Sequence, residues 1–234
     1  MPSDNLAGLL ADCDAILFDF DGPICHVFRG LPAPGVAHEL ADVLAGLVPE
    51  LERPARTTDD PMEVHRLSAQ GGEAALAAVE AALTQAEVRA VGVAGPPIEG
   101  AAEAMKAARE SGRRVAIVSN NSAECVRAYL SSNGLLGMVD GVVGRPVLRP
   151  DLMKPSPHPV LEAASLLGAA PERTVLIGDS VTDIEAARAA TSKSIGFANK
   201  PAKELPLTDA GADVVVLGMT SVAQALLELT EHRP

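Results

Sequence analysis

The chain has 234 residues, 47% of them hydrophobic and 2% aromatic, with a formal net charge of −12. That acidity disfavours nucleic-acid backbones as partners, and a single tyrosine with no tryptophan offers little for stacking unpaired bases. Three scattered cysteines, Cys13, Cys25 and Cys125, form no CxxC pair; they argue against a disulfide framework or a zinc site and fit a reducing cytoplasm.

Residues 1–14 carry Asp4, Asp12 and Asp14 and no basic run, unlike a secretory signal. No apolar stretch reaches the ~18 residues of a membrane span. The first predicted strand is Ala15–Phe18, followed at once by Asp19-Phe20-Asp21-Gly22. Side chains two apart on a strand share a side. Two carboxylates so placed suit a hard cation, or a division between nucleophile and acid–base duty; alone, the pair also fits a polar turn.

From about residue 31 to 95 no convincing strand occurs. Residues 36–47 and Glu73–Val91 have helical spacing, with Leu76, Val79, Leu83 and Ala90 on one stripe of the second. Pro32 and Pro34 precede this region, and Gly95-Pro96-Pro97 closes it. The expected organisation is therefore a sheet domain of residues 1–29 and 96–234, with a helical insertion over 30–95.

Helix-like stretches at 98–111, 123–133, 159–167, 183–190 and 221–230 then alternate with short apolar runs at 115–118, Gly141–Val143, 174–177, 195–197 and 213–217. Several runs are continuous, as in strands buried on both faces. Such alternation predicts an α/β fold: a Rossmann-like, doubly wound parallel sheet with helices on both sides. Ligands of such sheets bind outside the carboxyl ends of the strands.

Three further segments fall near strand ends. Ser119-Asn120-Asn121 follows the second strand; a hydroxyl and N–H groups at a helix start suit a phosphate, although Asn121 with Glu124 also reads as a helix cap. Lys154 precedes a helix and would neutralise a transferring phosphoryl group, or lie solvated on the surface. Gly178-Asp179-Ser180-Val181-Thr182-Asp183 follows the strand at 174–177; Asp179 is placed to bind metal, and Ser180 with Asp183 spells a capping box.

This ordered set resembles the haloacid dehalogenase-like superfamily, over roughly residues 10–29 and 96–220, and the insertion resembles the helical cap of its phosphoglycolate phosphatase-like branch. The resemblance implies a Mg²⁺-dependent phosphatase acting on a small phosphomonoester. Asp19 would be the nucleophile that becomes phosphorylated, and Asp21 the general acid and base. Asp19, the carbonyl of Asp21, and Asp179 would bind Mg²⁺, with Asp183 supporting them. Ser119, Asn120 and Lys154 would hold the phosphoryl group. Members that displace halide lack an acid at the position of Asp21, so its presence implies phosphate chemistry. Pro23, His26 and Val27 depart from the usual pattern and bear on substrate choice. Arg29, at the edge of the insertion, and Arg53, Arg56, His65 and Arg66, within it, each read as solvated surface residues. A phosphomutase using the same residues, or a phosphometabolite-binding protein without turnover, are the alternative readings. No pattern assigns an oligomeric state.

Overall fold

The computed structural model describes residues 2–231. Six strands, β1 (Ala15–Phe18), β2 (Arg114–Val118), β3 (Gly141–Val143), β4 (Thr174–Gly178), β5 (Lys193–Phe197) and β6 (Val214–Val216), make one sheet in the order β3-β2-β1-β4-β5-β6. Every neighbouring pair is parallel.

In chain order the helices are α1 (Pro2–Ala11), α2 (Ala33–Leu47), α3 (Glu52–Ala55), α4 (Pro61–Ser68), α5 (Glu73–Val91), α6 (Ala101–Glu110), α7 (Ala123–Ser132), α8 (His158–Leu167), α9 (Val181–Ala189), α10 (Glu204–Asp209) and α11 (Met219–Glu231). Successive strand side chains point to opposite faces. Ile16 and Phe18 therefore join an apolar cluster with residues of α1, α6, α7 and α11. Ala15 and Leu17 join a second cluster with residues of α8 and α9. Both faces are covered, which explains why the strands read as continuous apolar runs.

The segment between β1 and β2 carries α2–α5. These helices have a core of their own, centred on Val36, Leu40, Leu44, Val64, Val79 and Leu83. Phe28 and Leu31 touch both this core and the sheet's larger cluster, and α5 also packs on α7.

Several boundaries differ from the sequence reading. The helix expected at 98–111 begins at Ala101, because Gly100 adopts φ +84° and ends the approach loop there. The helix expected at 221–230 begins two residues earlier, at Met219. Helices α1, α3, α4 and α10 have no counterpart in that reading. The start of α7 is capped by Ser122, whose hydroxyl accepts from the N–H of Cys125 at 3.2 Å. Asn121 is not the cap. Its amide is drawn away to Glu87, to which it donates at 3.0 Å. The capping box of Ser180 and Asp183 is present as spelled.

Candidate active site

The sheet order reverses at β1: β2 lies on one side of it and β4 on the other. Loops leaving β1 and β4 diverge there, opening a crevice at the carboxyl ends. Asp19 follows β1, Ser119 follows β2, and Asp179 follows β4, so topology alone carries all three to that crevice.

Asp19, Asp179 and Asp183 each place a carboxylate oxygen within 4.8 Å of the others. The side chain of Lys154, 2% exposed, enters the same cluster. Its ammonium donates to Asp19 Oδ1 at 2.7 Å, to Asp183 Oδ1 at 2.5 Å and to the carbonyl of Val118 at 3.0 Å. The surface reading of Lys154 is therefore wrong: the ammonium is anchored by two carboxylates and a carbonyl. Burial opposes its charge, but the carboxylates of Asp183 and Asp19 outweigh that cost and raise its pKa. Burial also pushes the Asp19 carboxyl well up, as does the nearby charge of Asp183, while Lys154 pulls it back.

Two glycines permit this crowding. A Cβ at Gly22, whose φ is +114°, would sit 2.3 Å from Asp179 Cγ. One at Gly178 would sit 2.3 Å from Asp183 Cγ. The Gly in each motif is thus a packing requirement of the acid opposite it.

Asp21 lies outside the three-carboxylate cluster. Its Oδ1 accepts from the N–H of Val27 at 3.0 Å, across a tight turn closed by Gly22 N–H to the Cys25 carbonyl. Burial pushes its carboxyl up to about 6, against the pull of that N–H. A carboxyl titrating there can give or take a proton near neutrality.

Asn120 is tied to Lys154 twice: its Nδ2 donates to the Lys154 carbonyl at 3.2 Å, and its Oδ1 accepts from the Lys154 N–H at 2.9 Å. Ser119 Oγ accepts from the N–H of Asn121 at 3.0 Å. One cavity of about 600 Å³ is walled by Asp19, Asp21, Ser119, Asn120, Lys154 and Asp179 from the sheet loops. Phe28 and residues 58–62, from the loop before α4 and its first turn, wall it on the other side. Arg29, Arg53, Arg56 and Arg66 are exposed and do not line it. His65, expected on the surface, is buried, with Nε2 against Glu80 at 2.7 Å.

Asn199 and Lys203 have no place in the sequence reading. Asn199 Nδ2 donates to Asp179 Oδ2 at 2.9 Å, and the Lys203 ammonium pairs with the same oxygen. Both follow β5, and the carboxyl-end rule that marks the other loops applies to this strand as well.

The donor set can hold a metal ion. It is all oxygen, which suits a hard cation rather than a thiophilic one. It crowds three acids into one cleft, where a cation offsets their mutual repulsion. Asp183 already spends Oδ1 on Lys154 and Oδ2 on the N–H and hydroxyl of Ser180. Asp19 and Asp179 are the freer ligands.

Comparison with known proteins points the same way. The family model for haloacid dehalogenase-like hydrolases matches residues 13–191. A phosphoglycolate phosphatase of Nitrosococcus oceani is 31% identical over 118 residues, 50% of this chain and 52% of that one. The chain spans about half the length of the curated relatives it matches. A crystal structure of a HAD family hydrolase from Deinococcus radiodurans, with bound phosphate and sodium, superposes with a TM-score of 0.59 at 29% identity. The match covers 94% of this chain and 97% of that one. The structure of β-phosphoglucomutase from Clostridium difficile shares the fold, with a TM-score of 0.65 over 92% of this chain and 98% of that one at 16% identity.

Proposed function

We propose that this chain, which belongs to the haloacid dehalogenase-like hydrolase family, hydrolyses a small phosphomonoester with Asp19 as nucleophile. The observation that carries this reading is the meeting of Asp19, Asp21, Lys154 and Asp179 on the wall of one cavity, with Asp183 buried behind them and bonded to Lys154. The phosphoglycolate phosphatases among its relatives support a small phosphorylated substrate.

In the proposed reaction an Asp19 oxygen forms a bond to phosphorus as the bond to the leaving oxygen breaks. Asp21, protonated, gives its proton to that leaving oxygen. Left as a carboxylate, Asp21 then takes a proton from a water that attacks the phosphorus. Phosphate departs and Asp19 is restored. The Ser119 hydroxyl and the N–H of Asn120 hold phosphoryl oxygens, and Lys154 balances charge on Asp19 and the transferring group. Mg²⁺ is the proposed metal, held by Asp19, the carbonyl of Asp21 and Asp179, with Asp183 behind them. When bound it would offset the repulsion between an anionic nucleophile and an anionic phosphate.

We further read residues 30–95 as a cap whose loop before α4 closes one side of the cavity, and 1–29 with 96–234 as the catalytic domain. The three buried, unpaired cysteines suit a reducing cytoplasm. Among the described residues no helix is long and apolar enough to cross a membrane. The test is hydrolysis of an aryl phosphate with Mg²⁺ present. Asp19→Asn should abolish phosphate release at unchanged secondary structure; full activity in that variant removes Asp19 from the role.

A further inference from the structure

The segment 119–122 hangs from the insertion as well as from the sheet. Helix α5 presents Glu80, Thr84 and Glu87 at positions that share one helical face. Glu87 accepts from Asn121 Nδ2 at 3.0 Å and from the N–H of Ser122 at 3.0 Å. These are bonds from α5 directly to the loop that follows β2.

Arg145, just beyond β3, completes the joint. Its Nε donates to Glu80 Oε1 at 2.7 Å, its Nη1 to Glu87 Oε1 at 2.7 Å, and its Nη2 to Thr84 Oγ1 at 3.1 Å. The same Nη1 donates to the Asn120 carbonyl at 3.1 Å, and the Arg145 N–H donates to the Asn121 carbonyl at 2.8 Å. Arg145 is 4% exposed and Glu87 fully buried. Buried charges so paired are costly to separate, and the planar fork of arginine fixes direction as well as distance. Arg145 also lies 3.9 Å from the sulfur of Met62, which lines the cavity from the insertion side.

We propose that Arg145, together with Glu87, is a positioning residue that sets the geometry of the loop 119–122 from helix α5. The insertion would then shape the phosphoryl-binding loop as well as cover the cavity. Arg145 is too buried and too fully engaged to touch a ligand; it acts through the Asn120 carbonyl and through Glu87. This inference rests on the reading of Ser119 and Asn120 as phosphoryl-binding.

The test is binding of inorganic phosphate, measured by calorimetry with Mg²⁺ present, which needs no turnover. Melting temperature is recorded alongside. Arg145→Lys keeps the charge and loses the fork. Glu87→Gln keeps the size and loses the charge, and it decides alone should Arg145→Lys fail to fold. Val79→Ala, in the apolar core of the same helix, is a control for lost stability. Arg145→Lys and Glu87→Gln should each weaken phosphate binding about tenfold, the order expected for a disturbed charge-assisted contact. Val79→Ala should lower the melting temperature while leaving the dissociation constant within about twofold. Unchanged phosphate affinity in the folded Arg145 and Glu87 variants overturns the coupling. Equal weakening in Val79→Ala does so too, since it would reduce the effect to stability. Wild-type protein that binds no phosphate overturns the loop assignment itself, and this inference with it.

Discussion

Replacing Lys154 with methionine probes the centre of the site. Methionine is one atom shorter than lysine, ending at the level of its Cε, and has no charge. The ammonium bridges Asp19 and Asp183, both buried, and satisfies the Val118 carbonyl. Its removal leaves two carboxylates in a cleft without their cation. Breaking a buried pair by deleting one partner costs about 3–5 kcal/mol. In a chain of this size each kcal/mol moves the melting point by about 2–4 °C, so the metal-free variant should melt roughly 6–20 °C below the parent. Thermal unfolding followed by circular dichroism in EDTA measures this directly. Added Mg²⁺ should recover part of the loss, since a cation among the same carboxylates supplies some of the missing charge. A shift under about 2 °C in EDTA would show that the buried bridge contributes nothing, and would refute the charge balance drawn here.

Three other perturbations reach different parts of the account. Burial pushes the Asp21 carboxyl up to about 6, so the proton it donates is lost as pH rises through that value. Single-turnover cleavage of an alkyl phosphate should therefore slow with rising pH, and Asp21→Asn should be slower throughout and lack this limb; an identical profile in the variant would exclude Asp21 as the acid. Gly22→Ala places a Cβ 2.3 Å from Asp179 Cγ at a φ of +114°. It should raise the Mg²⁺ concentration for half-activation at least about tenfold, and unaltered metal dependence would count against Asp179 as a ligand. For Glu80, burial opposes the charge, but the hydrogen bond from His65 and the charge of Arg145 hold its pKa below the ordinary value. A depressed folded-state pKa adds stability above the unfolded value and loses it as pH falls through the folded one. The melting-point deficit of Glu80→Gln should accordingly be full near neutrality and shrink below about pH 4; a deficit that widens on acidification would contradict the pairing.

The fold was legible because burial on both faces makes the strands short apolar runs, and β1 and β3 occupy the residues expected of them. The convergence of Asp19, Ser119 and Asp179 was legible through one rule about strand ends, whereas Lys154, well beyond the end of β3, was placed in the site only by the family resemblance. That rule was not carried to β5, so Asn199 and Lys203 went unread. Helix α4 had a usable signal as well: Asp60 accepts from the N–H of Met62 and Pro61 takes the first helical position. The joint of Arg145 with Glu80 and Glu87 had none. Its partners lie 65 and 58 residues apart, and a lone arginine or glutamate in sequence looks solvated. Asn121 shows the same blindness: its spacing to Glu124 fits a capping box, and only the arrival of Glu87 from another helix shows why Ser122 caps instead.

The central claim is that the phosphoryl group passes to the side chain of the first acid after β1. Its most direct measurement is chemical trapping. The Asp21→Asn variant, slowed in releasing the phosphoryl group, is mixed with an aryl phosphate and Mg²⁺, quenched, and reduced with borohydride, which converts an acyl phosphate to an alcohol. Peptide mass analysis should find homoserine at position 19 and at no other acid. Unreduced aspartate at 19 under conditions that release a full equivalent of the aryl alcohol, or homoserine elsewhere, would contradict it.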